Sequence, residues 1–300
     1  MEPKYLKIHA AIPIEKYTGL LGVDNVLNLI VPFFYDFLTD PVGLIIGNLI
    51  TPMVLITLFT IALESSIPGV NGRFTSFLFV AISMQILGIA TAVPYWIAAW
   101  VIEEIKKEES NVIVVIEEDI EAPPAAAADA VLPLNPDRVT RIFLGIICVV
   151  FSSLVIMSLV TDPSYQFWSI VFFQISPVLA YMFWSWTPKG AIKNSVSTNE
   201  GYKRASNYYL IMFGIDHNSA YLSTLLEQLR NQELAAATDF MLVDTVGLAI
   251  SMTYWVYLVE GAKFTPAFWK FLGFGVVTSP AGALALYVTE PDETVPLFNE

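Results

Sequence analysis

The sequence predicts an all-α bundle of transmembrane helices, and composition, the length of the apolar runs and the position of the charges lead to this class. Of 300 residues, 55% are hydrophobic and only 14% are charged, which lies outside the range of soluble globular domains. Several apolar runs are about twenty residues long, enough to cross a bilayer core of about 30 Å. A single water-soluble core does not account for runs so long and so numerous.

Seven apolar runs are predicted to span the membrane. They are 41–63, 74–101, 141–160, 165–186, 205–225, 240–259 and 264–288. An earlier segment, 19–38, is apolar but carries Asp24, Asn25, Asn28, Pro32 and Asp36. We expect it to form an N-terminal amphipathic or re-entrant element, and a bundle of eight spans is the alternative.

Basic residues set the expected orientation, because cytosolic loops are rich in Lys and Arg. If 19–38 does not span, nearly all basic residues fall on one face and Arg73 and Arg230 are left on the other. We therefore expect a cytosolic N-terminus and a luminal C-terminus in a multi-pass protein of the endoplasmic reticulum. This topology places Glu64 at the luminal face, opposite the basic loops.

The net charge of −13 is concentrated outside the apolar runs. Residues 103–137 are predicted to form a polar, acidic, Ala/Pro-rich loop, and 290–300 an acidic tail, within a single transmembrane domain that covers 1–300. The simplest interpretation of both is solvated chain. No basic patch with interleaved aromatics occurs, so nucleic acid is not an expected partner.

The sequence lacks the motifs of several known enzyme classes, which argues against those functions. P-loop, HExxH, GxSxG and GxGxxG frameworks are all missing, and Cys148 is the single cysteine. Lys270 is the only candidate for a retinal Schiff base, and it lies too near the start of its run. Two histidines and scattered acids form no recognisable metal cluster, so no metal site is predicted.

Ionisable side chains within apolar runs are costly and are therefore candidates for function. The candidates are Glu64, Asp36, Asp216, His217 and Asp244. Structural alternatives stay open. Glu64 can be a carboxylate at the membrane interface, Asp216 and His217 can belong to a loop, and Asp244 can lack a functional role. The sequence SSIPGVNGR that follows Glu64 suggests a loop that folds over a site.

Aromatic and amide side chains complete the candidate site. Rings that point into a cavity can stabilise cations, although packing and interfacial belts explain most aromatics equally well. The substrate-binding candidates in this group are Tyr35, Gln85, Tyr95, Trp96, Tyr254 and Trp255.

The segments ALESSIPG (62–69) and SMQILGIATAVPYW (83–96), in a small chain of about seven spans, resemble a group of fungal integral-membrane terpene cyclases of meroterpenoid biosynthesis. The resemblance extends over most of the chain through segment order and aromatic richness. It implies cyclisation of a prenylated aromatic compound, or of its terminal epoxide, started by an acidic side chain in a dry pocket.

In that chemistry Glu64 and Asp244, or Asp216, would donate the first proton and remove the last one. No metal or other cofactor is needed, because no diphosphate leaves. The expected partners are a lipophilic prenylated small molecule and the bilayer. The alternatives are a transporter or channel for a small organic metabolite, with Asp36, Asp216 and Asp244 along its path, and a scaffold that uses loop 103–137. The apparent lack of internal symmetry disfavours the transporter.

Overall fold

The computed structural model describes residues 20–67, 75–118, 134–160, 162–189, 200–215, 221–230 and 234–289. Within these ranges the chain is helical and contains no strands. The helices are α1 (Leu21–Thr39), α2 (Pro41–Glu64), α3 (Phe77–Leu87), α4 (Ile89–Glu118), α5 (Pro136–Gly145), a π-helical segment (Ile146–Phe151), α6 (Ser152–Leu159), α7 (Pro163–Ser185), α8 (Glu200–Ile215), α9 (Tyr221–Arg230), α10 (Ala236–Val259), α11 (Pro266–Val277) and α12 (Pro280–Thr289). This confirms the all-α class.

Four helical segments in the described part of the chain are long and apolar enough to cross a membrane. They are Pro41–Glu64, Pro136–Leu159, Tyr165–Ser185 and Ala236–Val259. The other apolar helices, Phe77–Leu87, Pro266–Val277 and Pro280–Thr289, are shorter. The predicted count of seven spans is therefore not confirmed.

Helices α2 and α10 run in parallel and give the bundle two named ends. At the Asp40 end, Asp40 caps α2 by accepting a hydrogen bond from Val42 N, and its other oxygen accepts from Thr238 Oγ1 near the start of α10 at 2.6 Å. The cap arises because the sequence places an Asp directly before a Pro at the first helical position. At the Glu64 end α2 stops, and Trp100 links Glu64 to Trp255 in the last third of α10.

Helices α3 and α4 form an antiparallel pair, which we call hairpin 1. Thr75 Oγ1 donates to Glu103 across 2.9 Å although the two residues are 28 positions apart. A continuous helix would separate them by about 42 Å. The chain reverses at Gly88, whose φ of +82° is a conformation that favours glycine. Run 74–101 is therefore two helices rather than one span, and both ends of the hairpin lie at the Glu64 end.

Helices α11 and α12 form a second antiparallel pair, hairpin 2. The Phe271 and Tyr287 rings lie 6.2 Å apart, and a Cβ placed on Gly275 would lie 3.8 Å from Ala283 Cβ. Run 264–288 is consequently also two helices. The same motif, a long helix followed by a hairpin, thus occurs twice, and this repetition is not visible in the sequence.

The remaining helices surround these pairs. The segment α5–α6 runs antiparallel to α7, as the 3.1 Å hydrogen bond between Ser153 and Ser176 and the bond from Arg138 to the Trp184 carbonyl require. Helix α1 lies at the Asp40 end, where Phe33 packs on Phe240 of α10. It is not one of the four long apolar helices.

Hairpin 1 changes the expected position of Glu64. Since α3 and α4 return to the Glu64 end, the basic residues that follow α4 lie beside Glu64: Arg138 Nε donates to Ser66 Oγ at 2.8 Å, and Arg204 contacts Thr140 on α5. The prediction that Glu64 faces away from the basic loops is wrong. Its premise was that 74–101 crosses to the other side.

Three further predictions concern the connections. The predicted loop 103–137 begins as helix, because α4 continues to Glu118, and it ends as the first residues of α5. Run 205–225 corresponds to α8 and α9, and residues 216–220 between them lie outside the described part of the chain. The tail 290–300 lies outside it as well.

Candidate functional site

A cavity of about 580 Å³, which we call the large cavity, lies in the Asp40 half of the bundle. It is enclosed by α1, α2, hairpin 1, α6, α7 and the first turns of α10. Five phenylalanines contribute to its wall: Phe33, Phe34, Phe37, Phe173 and Phe240. Cavities of 300–1,000 Å³ with apolar walls and a few polar groups are typical of small-molecule sites.

Asp244 is the one charged residue among the described residues that line this cavity, and its side chain is buried. Its Oδ1 accepts a hydrogen bond from Ala90 N at 3.1 Å, and its Oδ2 accepts from Ile89 N at 3.3 Å. These amides open helix α4, so they lack partners within their own helix. A carboxylate there also interacts favourably with the positive end of the helix dipole.

Gly88 brings the two partners together. A Cβ at this position would lie 3.1 Å from Asp244 Oδ1 and 3.2 Å from Phe240 Cζ, so a side chain would crowd both. Its positive φ turns the chain so that the first amides of α4 face α10. Asp244 therefore holds the tip of hairpin 1 against the cavity wall.

Other polar groups on the cavity wall are few and uncharged. Gln85 on α3 lies one turn before Gly88, and Asn48 and Thr51 share a face of α2. Thr51 Oγ1 already donates to the Gly47 carbonyl at 2.7 Å. Asp244 and Gln85 are thus the two predicted site residues that the structure brings to one cavity.

Glu64 belongs to the opposite end of the bundle. Its side chain is buried, and Oε2 accepts from Trp100 Nε1 at 3.3 Å. The adjoining cavity, walled by Tyr202 and Tyr209, has a volume of about 20 Å³, which is space for one water and not for a substrate. Asp244 lies about 9 Å along α10 from Thr238, at the Asp40 end of the bundle. Trp255, which Trp100 links to Glu64, lies about 16 Å further along α10, so the two carboxylates are far apart.

The predicted aromatic candidates do not line the large cavity. Trp96 and Trp255 are buried in the core with ring centroids 6.4 Å apart. Tyr95 is 71% exposed and Tyr254 is 52% exposed, and neither ring lines the large cavity. Packing and surface positions, the alternatives left open by the sequence, account for all four.

Asp36 and Tyr35 lie on α1, outside the set of residues that line the cavity. Both are half-buried, and their backbone carbonyls accept hydrogen bonds from Thr39 Oγ1. Asp216 and His217 fall outside the described residues. Among the residues that are described, no group of three or more His, Cys, Asp or Glu side chains is arranged to hold a metal ion.

Sequence reasoning missed the phenylalanine wall and Gly88. A glycine inside an apolar run is a signal for a break, and QILGIA carries it. The phenylalanines have no comparable signal, because their rings meet only when α1, α7 and α10 pack together. Phe33 contacts Phe240 with ring centroids 5.4 Å apart, and Phe34 contacts Phe173 at 5.5 Å.

No protein-family model, no curated protein and no solved structure matches this chain. The class that the described residues define is therefore structural: an all-helical protein with four helices long enough to cross a membrane and two helical hairpins. Its distinguishing site is a large apolar cavity with one buried carboxylate.

Proposed function

We propose that the protein is a membrane-embedded terpene cyclase that acts on a prenylated aromatic substrate or its terminal epoxide. The observation that carries the proposal is the 580 Å³ cavity, whose wall of aromatic rings contains a single carboxylate, Asp244. Such a cavity excludes water from a reactive cation, and ring faces stabilise positive charge.

Asp244 is the group to which we assign proton transfer. In its protonated form it donates to the epoxide oxygen or the terminal olefin. The C–O bond opens, or the olefin becomes a cation, and the neighbouring double bonds close the rings. The last cation then loses a proton to the Asp244 carboxylate, so the net reaction is an isomerisation. The amides of Ile89 and Ala90 stabilise the carboxylate that exists between these two steps.

Glu64 has no part in this proposal, although the family resemblance suggested it. The cavity next to Glu64 is too small for a substrate, and its carboxylate is bound to Trp100. Its surroundings suit a structural role: it joins the end of α2 to Trp100 within α4 and lies beside Tyr202 and Tyr209.

The test is an assay of microsomes that carry the full chain, incubated with a set of epoxidised and non-epoxidised farnesyl-phenols. We expect a cyclised product of unchanged mass from at least one substrate. Failure of every substrate to yield a product would overturn the proposal.

One substitution and two matched controls assign the proton-transfer group. Asp244→Asn keeps the size of the side chain and should lower turnover by about 10²–10⁴-fold, the usual contribution of a general acid or base. Glu64→Gln and Asp239→Asn, the latter one turn earlier in α10, should retain most of the activity. If Glu64→Gln abolishes turnover and Asp244→Asn does not, the assignment is wrong.

A transporter for a small organic metabolite is the second candidate, and the two helical hairpins favour it. Transporters commonly build their binding sites from interrupted helices whose ends meet near the middle of the membrane. The tip of hairpin 1 at Asp244 has this character. Substrate-specific uptake into proteoliposomes, in the absence of any cyclised product, would support transport over cyclisation.

A further inference from the structure

The large cavity has a mouth on the side of the bundle. Four large apolar side chains both line the cavity and are exposed: Leu29 on α1, Leu44 on α2, and Ile86 and Leu87 at the tip of α3. Ile86 is 70% exposed, the highest value of the four. At these positions on α1, α2 and the tip of α3, the wall of the cavity reaches the outer surface of the bundle.

The exposed polar side chains among the lining residues are short and uncharged. Asn48 and Ser158 are exposed and line the cavity, and Ser158 Oγ donates to the Leu154 carbonyl of its own helix at 2.9 Å. Among the described lining residues the only charge is the buried Asp244. An opening to water is ordinarily bordered by charged groups, whereas this one is apolar and lies on the flank of a candidate membrane span.

The end of the cavity that faces Asp40 is closed by α1. Phe33 and Phe34 of this helix make edge-to-face contacts with Phe240 of α10 and Phe173 of α7. The two contacts hold α1 across the space between those helices. A ligand approaching from the water beyond the Asp40 end would have to separate these rings.

The depth of the mouth follows from helix geometry. Leu44 lies four residues beyond Asp40, about 6 Å along α2, and Asp244 lies about 9 Å beyond Thr238 along α10. Both distances fall within one leaflet, about 15 Å of hydrocarbon. Arg138, Lys189 and Arg204 lie at the opposite end, so by the positive-inside tendency this is the leaflet away from the cytosol.

We infer that the cavity is loaded sideways from this leaflet, by an amphiphile that is dissolved in the bilayer. Its prenyl chain passes between Leu44 and Ile86 and lies against the phenylalanine wall. Its reactive end, an epoxide or olefin, reaches Asp244 and Gln85. The inference rests on the proposed function for the identity of the substrate, but the position and polarity of the mouth do not depend on turnover.

The first measurement locates the mouth without requiring activity. In a Cys148→Ser background, nitroxide labels at Ile86→Cys and at Lys263→Cys are compared by power-saturation EPR in phospholipid vesicles. We expect the label at 86 to be relaxed more strongly by oxygen, which concentrates in lipid, than by a water-soluble nickel chelate. The label at 263, in the exposed turn after α10, should show the reverse. Stronger relaxation by nickel at 86 would overturn the inference.

The second measurement follows entry of the ligand. Vesicles are loaded with a farnesyl-phenol that carries a diazirine on its chain, and its light-induced crosslinking to the protein is quantified. Leu44→Trp should narrow the mouth and lower the crosslinking yield at least about tenfold, equivalent to 1.4 kcal/mol. The matched control is Ile45→Trp: Leu44 and Ile45 are 41% and 40% exposed, and only Leu44 lines the cavity.

The two proposals fail in distinguishable ways. Lipid-side EPR at 86 with selective loss of crosslinking in Leu44→Trp, but no product from any substrate, leaves the lateral mouth intact and overturns the cyclase. Product formation together with equal crosslinking of Leu44→Trp and Ile45→Trp leaves the cyclase intact and overturns lateral loading.

Discussion

The helices that begin at the tips of the two hairpins are capped by different kinds of residue. Each tip starts a new helix inside the bundle and so exposes amides that lack helical partners. In hairpin 2 the cap is local: Ser279 Oγ accepts from Gly282 N at 3.0 Å, and Pro280 occupies the first helical position. In hairpin 1 the cap comes from α10, where Asp244 accepts from Ile89 N across 155 positions of sequence.

This difference separates a structural turn from a candidate site. A serine cap satisfies its helix with a neutral hydroxyl that is buried. A remote carboxylate satisfies the helix and also places a titratable group on the wall of the large cavity. Because the cap belongs to another helix, the tip of hairpin 1 and the position of α10 depend on each other, whereas hairpin 2 carries its own cap.

Among substitutions at the two hairpin tips, Asp244→Ala is expected to lower stability most. The substitution leaves the amides of Ile89 and Ala90 without their acceptor, which should lower the free energy of unfolding by about 2–3 kcal/mol. Hydrogen exchange in detergent micelles should speed up at these two amides and remain unchanged at Gly282. Unchanged exchange at Ile89 and Ala90 would show that Asp244 does not cap hairpin 1.

The next effect is expected from Gly88→Ala, which places a Cβ where φ is +82° and where Asp244 and Phe240 are close. A side chain in this backbone conformation, which is essentially restricted to glycine, should alone cost about 2 kcal/mol of stability. Gly273→Ala in hairpin 2 is the matched control, because a Cβ there meets nothing within 4 Å and a helical alanine should add about 0.5–1 kcal/mol. The thermal unfolding temperature should fall in Gly88→Ala and rise in Gly273→Ala. Equal shifts of this temperature in the two variants would contradict the assigned geometry of the tip.

The smallest effect is expected from Ser279→Ala. Loss of a serine cap typically costs about 1 kcal/mol, and exchange should speed up at Gly282 rather than at Ile89. Turnover and crosslinking of the farnesyl-phenol should not change, because Ser279 is not among the residues that line the cavity. A loss of turnover as large as that of Asp244→Asn would remove the functional distinction between the tips.

Much of the secondary structure could be predicted from the sequence, because apolar run length and helix caps are local properties. The runs 41–63 and 240–259 nearly coincide with α2 and α10. The runs 74–101 and 264–288 were located correctly, but their reversal was not predicted. Hydropathy gives the same signal for a helix that crosses the bundle and for two that meet at a tip.

The candidate site could be predicted only in part, because the sequence does not show which partner a buried polar side chain meets. Asp244 and Gln85 were identified by their polarity within apolar runs, and both lie on the cavity wall. Glu64 was identified by the same criterion and lies at the other end. Polarity marks a residue as costly to bury, but two very different partners, Trp100 or the amides of a broken helix, can offset that cost.

By itself, the sequence determined that the described part of the chain is all-helical and where most of its apolar helices lie, because hydrophobicity and capping act over a few residues. Only the tertiary structure decided that two apolar runs fold back, that Glu64 lies on the side of the basic loops, and that Asp244 meets both hairpin 1 and the cavity. These outcomes depend on contacts between residues far apart in sequence, such as Asp244 with Ala90 and Phe33 with Phe240.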